Sequence, residues 1–135
     1  MSTKIIDIEG IGPAFAEKLN GARIATTEDL LELCSTPEGR KGVAVQTGIP
    51  EGKILDWANM ADLMRISGVG GQYAELLHAA GVDTIKELRT RNAETLAAKM
   101  EEVNAVKKLT KGVISASMVT AWVDQAKKME ARLSY

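Results

Sequence analysis

The chain has 135 residues, 17 basic against 18 acidic, with one cysteine, one histidine and 45% hydrophobic residues. That length holds one domain or two very small ones, and the apolar share closes a core rather than leaving the chain disordered. One cysteine excludes an internal disulfide framework, and together with one histidine it excludes a Cys/His zinc site. No stretch reaches the ~20 uncharged apolar residues of a membrane span, and the opening MSTKIIDIEG lacks a signal-peptide run, which points to a soluble, cytoplasmic protein.

In chain order, the first landmark is Ile8-Glu9-Gly10-Ile11-Gly12, a glycine turn directly before a helix. Pro13 suits a first helical turn, and Phe15, Ala16, Leu19 and Ala22 give an apolar stripe that ends at Asn20-Gly21. Thr26-Thr27-Glu28-Asp29 opens a short helix with Leu30, Leu31 and Leu33 facing inward. A further helix follows Pro37. Gly48-Ile49-Pro50 then turns into an amphipathic helix carrying Ile54 and Trp57.

The pattern then returns. Ile66-Ser67-Gly68-Val69-Gly70 repeats the first glycine turn at an offset of 58, and the register holds through Ala16/Ala74, Leu19/Leu77, Ile24/Val82, Thr26/Thr84 and Leu30/Leu88. Thr84-Ile85-Lys86-Glu87 has the fuller form of a capping box, and a helix follows Asn92 through Leu96, Met100 and Val103. Gly112-Val113-Ile114-Ser115 turns into a last helix over residues 116–133. Val119-Thr120-Ala121-Trp122 matches Ile54-Leu55-Asp56-Trp57 at an offset of 65, so the second copy carries about seven extra residues. No sustained period-two alternation marks a strand. The expected fold is all-α, with two units over residues 1–65 and 66–135, each of four or five short helices and packed against each other because ~60 residues alone are marginal.

Glycines either side of one apolar residue allow a sharp turn while Ile11 or Val69 plugs the core. Such a turn leaves backbone N–H groups at a helix N-terminus, where the dipole favours an anion. The turns lack the Gly-Lys-Ser/Thr ending of a Walker loop, and no strand precedes them as a dinucleotide fingerprint needs.

Ile-x-Gly-Ile/Val-Gly-x-x-x-Ala-x-x-Leu, followed by Gly-Val-Asp-Thr-Ile-x-Glu-Leu, resembles the helix-hairpin-helix superfamily. The tandem layout is similar to the small five-helix (SAM-like) domains of recombinases and some DNA-repair proteins. The whole chain resembles a bacterial family known as domain of unknown function 4332. That family resemblance implies two tandem helix-hairpin-helix units and no settled biochemical role, while the superfamily resemblance implies contact with DNA phosphates. DNA-contacting hairpins of the superfamily place Lys or Arg two residues after the second glycine, where this chain has Ala14 and Gln72.

Charge favours the second copy. Residues 1–65 carry 7 basic and 10 acidic side chains, net −3, while residues 66–135 carry 10 and 8, net +2. Because phosphate affinity is mostly a charge effect, hairpin two is the expected contact: Gly68, Val69, Gly70, Gly71 and Gln72, with Lys107, Lys108 and Lys111. Gly10, Ile11 and Gly12 form the weaker hairpin, beside Glu9 and Glu17. The three lysines equally suit a helix C-terminus before Gly112, and Arg40-Lys41 and Arg89-Thr90-Arg91 read as solvated surface.

Trp57 and Trp122 occupy equivalent repeat positions, which favours packing over base stacking, and Tyr73 reads as a packing aromatic. With 4% aromatic residues there is no interleaved stacking platform. His78 and Cys34 lie in different units without partner motifs, and Cys34 reads as a small buried filler. Nothing has the spacing of a catalytic set, a metal loop or a cofactor site. The expectation is a non-catalytic module with weak, non-specific binding to DNA or another nucleic acid. The alternative is a protein-interaction or scaffold module with architectural hairpins.

Overall fold

The computed structural model describes residues 3–135. Eight α-helices follow a short 3-10 turn at Ile5–Asp7: α1 (Pro13–Gly21), α2 (Thr27–Cys34), α3 (Pro37–Thr47), α4 (Glu51–Leu63), α5 (Gly71–Ala79), α6 (Ile85–Leu88), α7 (Ala93–Lys107) and α8 (Ala116–Lys127). Among the described residues there are no strands, only one isolated bridge between Lys4 and Thr26. Among the described residues no helix is long and apolar enough to cross a membrane.

Both glycine turns have the same backbone. Gly10 and Gly68 take left-handed φ values of 92° and 91°, a conformation that favours glycine. Ile11 and Val69 each donate their N–H to the carbonyl three residues back, at 3.1 Å, and bury their side chains. The repeat continues in the hydrogen bonds: Ile24 and Val82 donate to Leu19 and Leu77, both at 2.9 Å. Behind each glycine stands an indole. A methyl at Gly10 would lie 3.6 Å from Trp57 Nε1, and one at Gly68 would lie 3.4 Å from Trp122 Nε1. Phe15 and Tyr73 complete the two sets, with ring centroids 5.1 Å from Trp57 and 5.3 Å from Trp122.

The seven extra residues of the second copy have a definite place. α7 has 15 residues where α3 has 11, and the connection into the last helix spans residues 108–115 rather than 48–50. A shorter α6, 4 residues against 8 in α2, gives part of that length back. The insertion therefore falls where Lys108 and Lys111 lie, and hairpin one has no equivalent cations.

α4 packs on α2, α3 and α5, and every residue from Trp57 to Leu63 is buried. A helix buried on all sides needs partners for its polar side chains. Asn59 accepts a 2.8 Å bond from the Tyr135 hydroxyl, and Asp62 is held by Arg65 and by the N–H of Ile85.

Four local expectations are corrected. The complete capping box is the first one: Thr26 accepts from Asp29 N, and Asp29 accepts from Thr26 N and Ala25 N. In the second, Thr84 accepts from Glu87 N at 3.4 Å, but Glu87 reaches Asp83 N and Arg91 instead of the cap residue. Leu33 is exposed rather than inward-facing, because α2 presents Leu30, Leu31 and Cys34 to the core. The last helix stops at Lys127, and residues beyond it cross to the first half. There Arg132 pairs with Glu28 at 2.8 Å, and Ser134 donates to Ser35 O and accepts from Arg40.

Arg40 is one of the groups that hold that crossing segment, and it is the fourth correction. Expected on the surface, it is 5% exposed and donates to Cys34 O at 3.0 Å and Ser134 O at 2.7 Å. A buried guanidinium cannot deprotonate, so it must find acceptors, and the C-terminal segment supplies one.

Candidate functional site

Hairpin two delivers α5 with a bare N-terminus. Gly70 is extended and offers no side-chain cap, and the N–H groups from Gly70 to Tyr73 have no acceptor among the described residues. These are the groups that carry the positive end of the helix dipole. Hairpin one has one donor fewer, since Pro13 stands where hairpin two has Gly71.

The lysines arrive through the inserted loop. α7 ends as Lys108 takes a left-handed conformation (φ 52°), its N–H bonded to Asn104 O at 2.8 Å. The Asn104 side chain then folds the loop back, accepting from Thr110 N at 3.1 Å and donating to Thr110 O at 2.9 Å. Gly112 seats the loop on the Tyr73 hydroxyl, which a methyl at that position would meet at 2.7 Å. A chain of contacts thus runs from Trp122 through Tyr73 to the lysine loop.

The result is a hollow of about 330 Å³ lined by Gln72, Lys108, Leu109, Thr110, Lys111 and Gly112. Of the lysine cluster read from the sequence, Lys108 and Lys111 stand beside hairpin two. Lys107 does not: it lines a separate hollow of about 240 Å³ with Ala79, Glu102, Val103 and Val106. The left-handed residue between α7 and the loop splits the neighbours.

A second face of hairpin two borders a hollow of about 480 Å³ lined by Thr3, Met64, Arg65 and the backbone from Ile66 to Gly70. Its one cation is committed, with Arg65 bonded to Asp62 at 2.6 Å and to Glu130 O at 3.0 Å. The Ser67 amide is also taken, by Gln125 Oε1 at 3.1 Å.

Acidic groups lie near but do not fill the lysine hollow. Glu87 is turned away, bonded to Asp83 N and Arg91. Glu75 is half-buried one turn after Gln72. Gly71 packs against the backbone of Asp7 and Glu9, whose side chains are exposed, so the first glycine turn borders the second. That contact limits the attraction for an anion.

Two further titratable groups, His78 and Cys34, are engaged by the structure. His78 Nδ1 meets Asp83 Oδ1 at 2.9 Å. Burial pushes the Cys34 thiol up to about 11, with the Arg40 charge pulling the other way, so the thiolate that would act as a nucleophile is suppressed. Among the described residues no group of three His, Cys, Asp or Glu stands together to hold a metal ion.

The family model described as a domain of unknown function (DUF4332) matches residues 9–129. No curated protein and no solved structure matches the chain.

Proposed function

We propose that this chain, which belongs to the DUF4332 family, is a non-catalytic module of two tandem helix-hairpin-helix units that binds a nucleic-acid backbone weakly and without reading sequence. The units span residues 1–65 and 66–135, and the recurrence of dihedral angle, hydrogen bonds and glycine–indole contact at the two turns supports that division.

One observation carries the binding reading: Gln72, Lys108 and Lys111 line one hollow at the N-terminus of α5, where consecutive N–H groups lack acceptors among the described residues. A phosphate seated there receives backbone donors, the dipole and two mobile ammonium groups. Gln72 adds a neutral donor where related hairpins carry a cation, so affinity rests on the loop lysines. Two cations and a near-neutral chain make the binding weak, and contacts to phosphate alone carry no sequence information.

The test is a fluorescence-anisotropy titration of the whole chain with short duplex and single-stranded DNA at about 50 mM salt. Saturable binding that disappears in the Lys108→Glu plus Lys111→Glu variant supports the reading. Absence of binding to either probe, or binding that the double variant leaves intact, rejects it. The alternative, a protein-contact module with architectural hairpins, is favoured by a different feature, the exposed Val106 beside Lys107.

A further inference from the structure

α8 stops where its sequence does not. No glycine or proline lies between Ala116 and Tyr135, and Lys127-Lys128-Met129-Glu130-Ala131-Arg132-Leu133 is a run of strong helix formers. The apolar stripe of α8, Val119, Trp122, Val123 and Ala126, continues at helical spacing through Met129 and Leu133. α3 and α7 end at left-handed residues, Gly48 and Lys108, whereas Lys128 keeps right-handed angles of φ −97° and ψ −2°. Beyond it the chain leaves the helix and lies as a strap on the first half.

The strap is held by bonds that a continued helix gives up. Ser134 donates its N–H to Ser35 O at 2.8 Å, and Glu130 O accepts from Arg65 at 3.0 Å. In a helix the same two groups, four residues apart, bond to each other. Ser134 O also accepts from Arg40, Arg132 pairs with Glu28, and the Tyr135 hydroxyl donates to Asn59 Oδ1 at 2.8 Å.

We propose that residues 128–135 form a two-state strap, either docked and non-helical across the first half, as in this structure, or released, with α8 continued to Leu133. Local preference and long-range contacts oppose each other in this segment, and conflict between those levels is what gives an element two accessible arrangements. The arrangements exclude each other at Glu130 and Ser134, so the change is a switch between two sets of bonds. Its docked side serves Arg40 and Asn59, both buried. Release leaves Arg40 with Cys34 O alone and Asn59 Oδ1 without its donor, which couples the end of α8 to the accessibility of α3 and α4. Simple fraying of a chain end has the opposite signature, since lost contacts then give coil and not helix.

The test is NMR on the 135-residue chain, comparing the parent with Arg132→Ala plus Tyr135→Ala. Both substitutions remove strap contacts, and alanine keeps the helical preference of the segment. The carbon-13 shifts of residues 128–133 are expected to move to helical values, and the Arg40 guanidinium N–H groups to exchange with solvent about tenfold faster or more. Adding Ala131→Pro is expected to abolish the helical shifts and leave the Arg40 exchange fast, because proline breaks a helix interior. Unchanged shifts across α1–α7 confirm folding. Tyr135→Ala alone, at a residue 69% exposed, gives the same readings at smaller amplitude should the pair unfold the chain. Coil shifts at residues 128–133 overturn the proposal, as do shifts that stay at parent values. Helical shifts with Arg40 still protected, or helical shifts that survive the proline, overturn it equally.

Discussion

Asp62 Oδ2 accepts the backbone N–H of Ile85 at 2.9 Å, so a carboxylate at the end of α4 caps α6, which begins in the second repeat. The same carboxylate binds Arg65 through Oδ1, and Arg65 in turn holds Glu130 O. One buried side chain therefore ties together the exit of α4, the start of α6 and the segment after α8, on either side of hairpin two. Asp62→Ala leaves a helix N–H without its acceptor and a partly buried guanidinium with Glu130 O alone. The expected cost is about 2–3 kcal/mol, below that of a fully buried pair because Arg65 retains some exposure. Urea unfolding measures it, and a loss under 1 kcal/mol would show that water replaces the carboxylate.

Gly71 makes the opposite of the usual helix prediction. In an exposed helix, alanine for glycine stabilises by up to about 1 kcal/mol. At Gly71 the added methyl collides with the Asp7 carbonyl oxygen, a backbone atom that cannot rotate away. One residue earlier, Gly70 has open space and an ordinary negative φ. Gly71→Ala is expected to destabilise by about 1–3 kcal/mol through overpacking, while Gly70→Ala stays within about 0.5 kcal/mol. Equal thermal midpoints for the two variants would contradict the close approach of the glycine turns.

The two threonine caps differ in the same measurable way. Thr26 and Asp29 exchange both bonds of a capping box, whereas Thr84 makes one long bond. Thr26→Ala is expected to cost about 1 kcal/mol and Thr84→Ala roughly half of that. Hydrogen bonds from Ala25 N, and with them those of Thr26, hold the Asp29 carboxyl below its usual range against the opposing effect of burial. A depressed folded-state pKa stabilises above the unfolded value near 4 and is lost as pH falls through the folded one. Asp29→Asn should therefore flatten the acid limb of the stability curve below about pH 4.5. An unchanged acid limb would place the charge elsewhere.

What was legible in the sequence was local. Gly10 and Gly68 announced their turns because only a short segment determines a left-handed residue before a helix, and Trp57 and Trp122 announced burial by recurring. Arg40 and Asp62 were not legible, since the acceptor of one lies 94 residues away and the donor to the other lies 23 away. Nothing near either residue marks it as buried. The end of α8 at Lys127 was hidden for the same reason, since the segment beyond it bonds to Glu28, Ser35 and Arg40, far away in the chain. Lys107 and Lys108 are chain neighbours that a left-handed residue sends to different hollows, a separation no spacing rule reports.

That separation gives the sharpest test of the nucleic-acid reading. If phosphate sits between the N-terminus of α5 and the inserted loop, Lys108 and Lys111 carry the charge-dependent part of binding, and Lys107 contributes only through the long-range field. Two or three neutralised phosphates predict a slope of log K against log salt of about −2 to −3 on duplex DNA. Lys108→Ala and Lys111→Ala should each make that slope shallower by about one, because each removes one counterion-releasing contact. Lys107→Ala should weaken binding by less than about threefold and leave the slope unchanged, since at physiological salt charges more than about 8 Å apart are screened. Equal effects from all three lysines would mean that the chain binds by diffuse attraction, with hairpin two serving only as architecture. A shallower slope for Lys108 and Lys111 alone would tie the phosphate to the hollow beside Gln72.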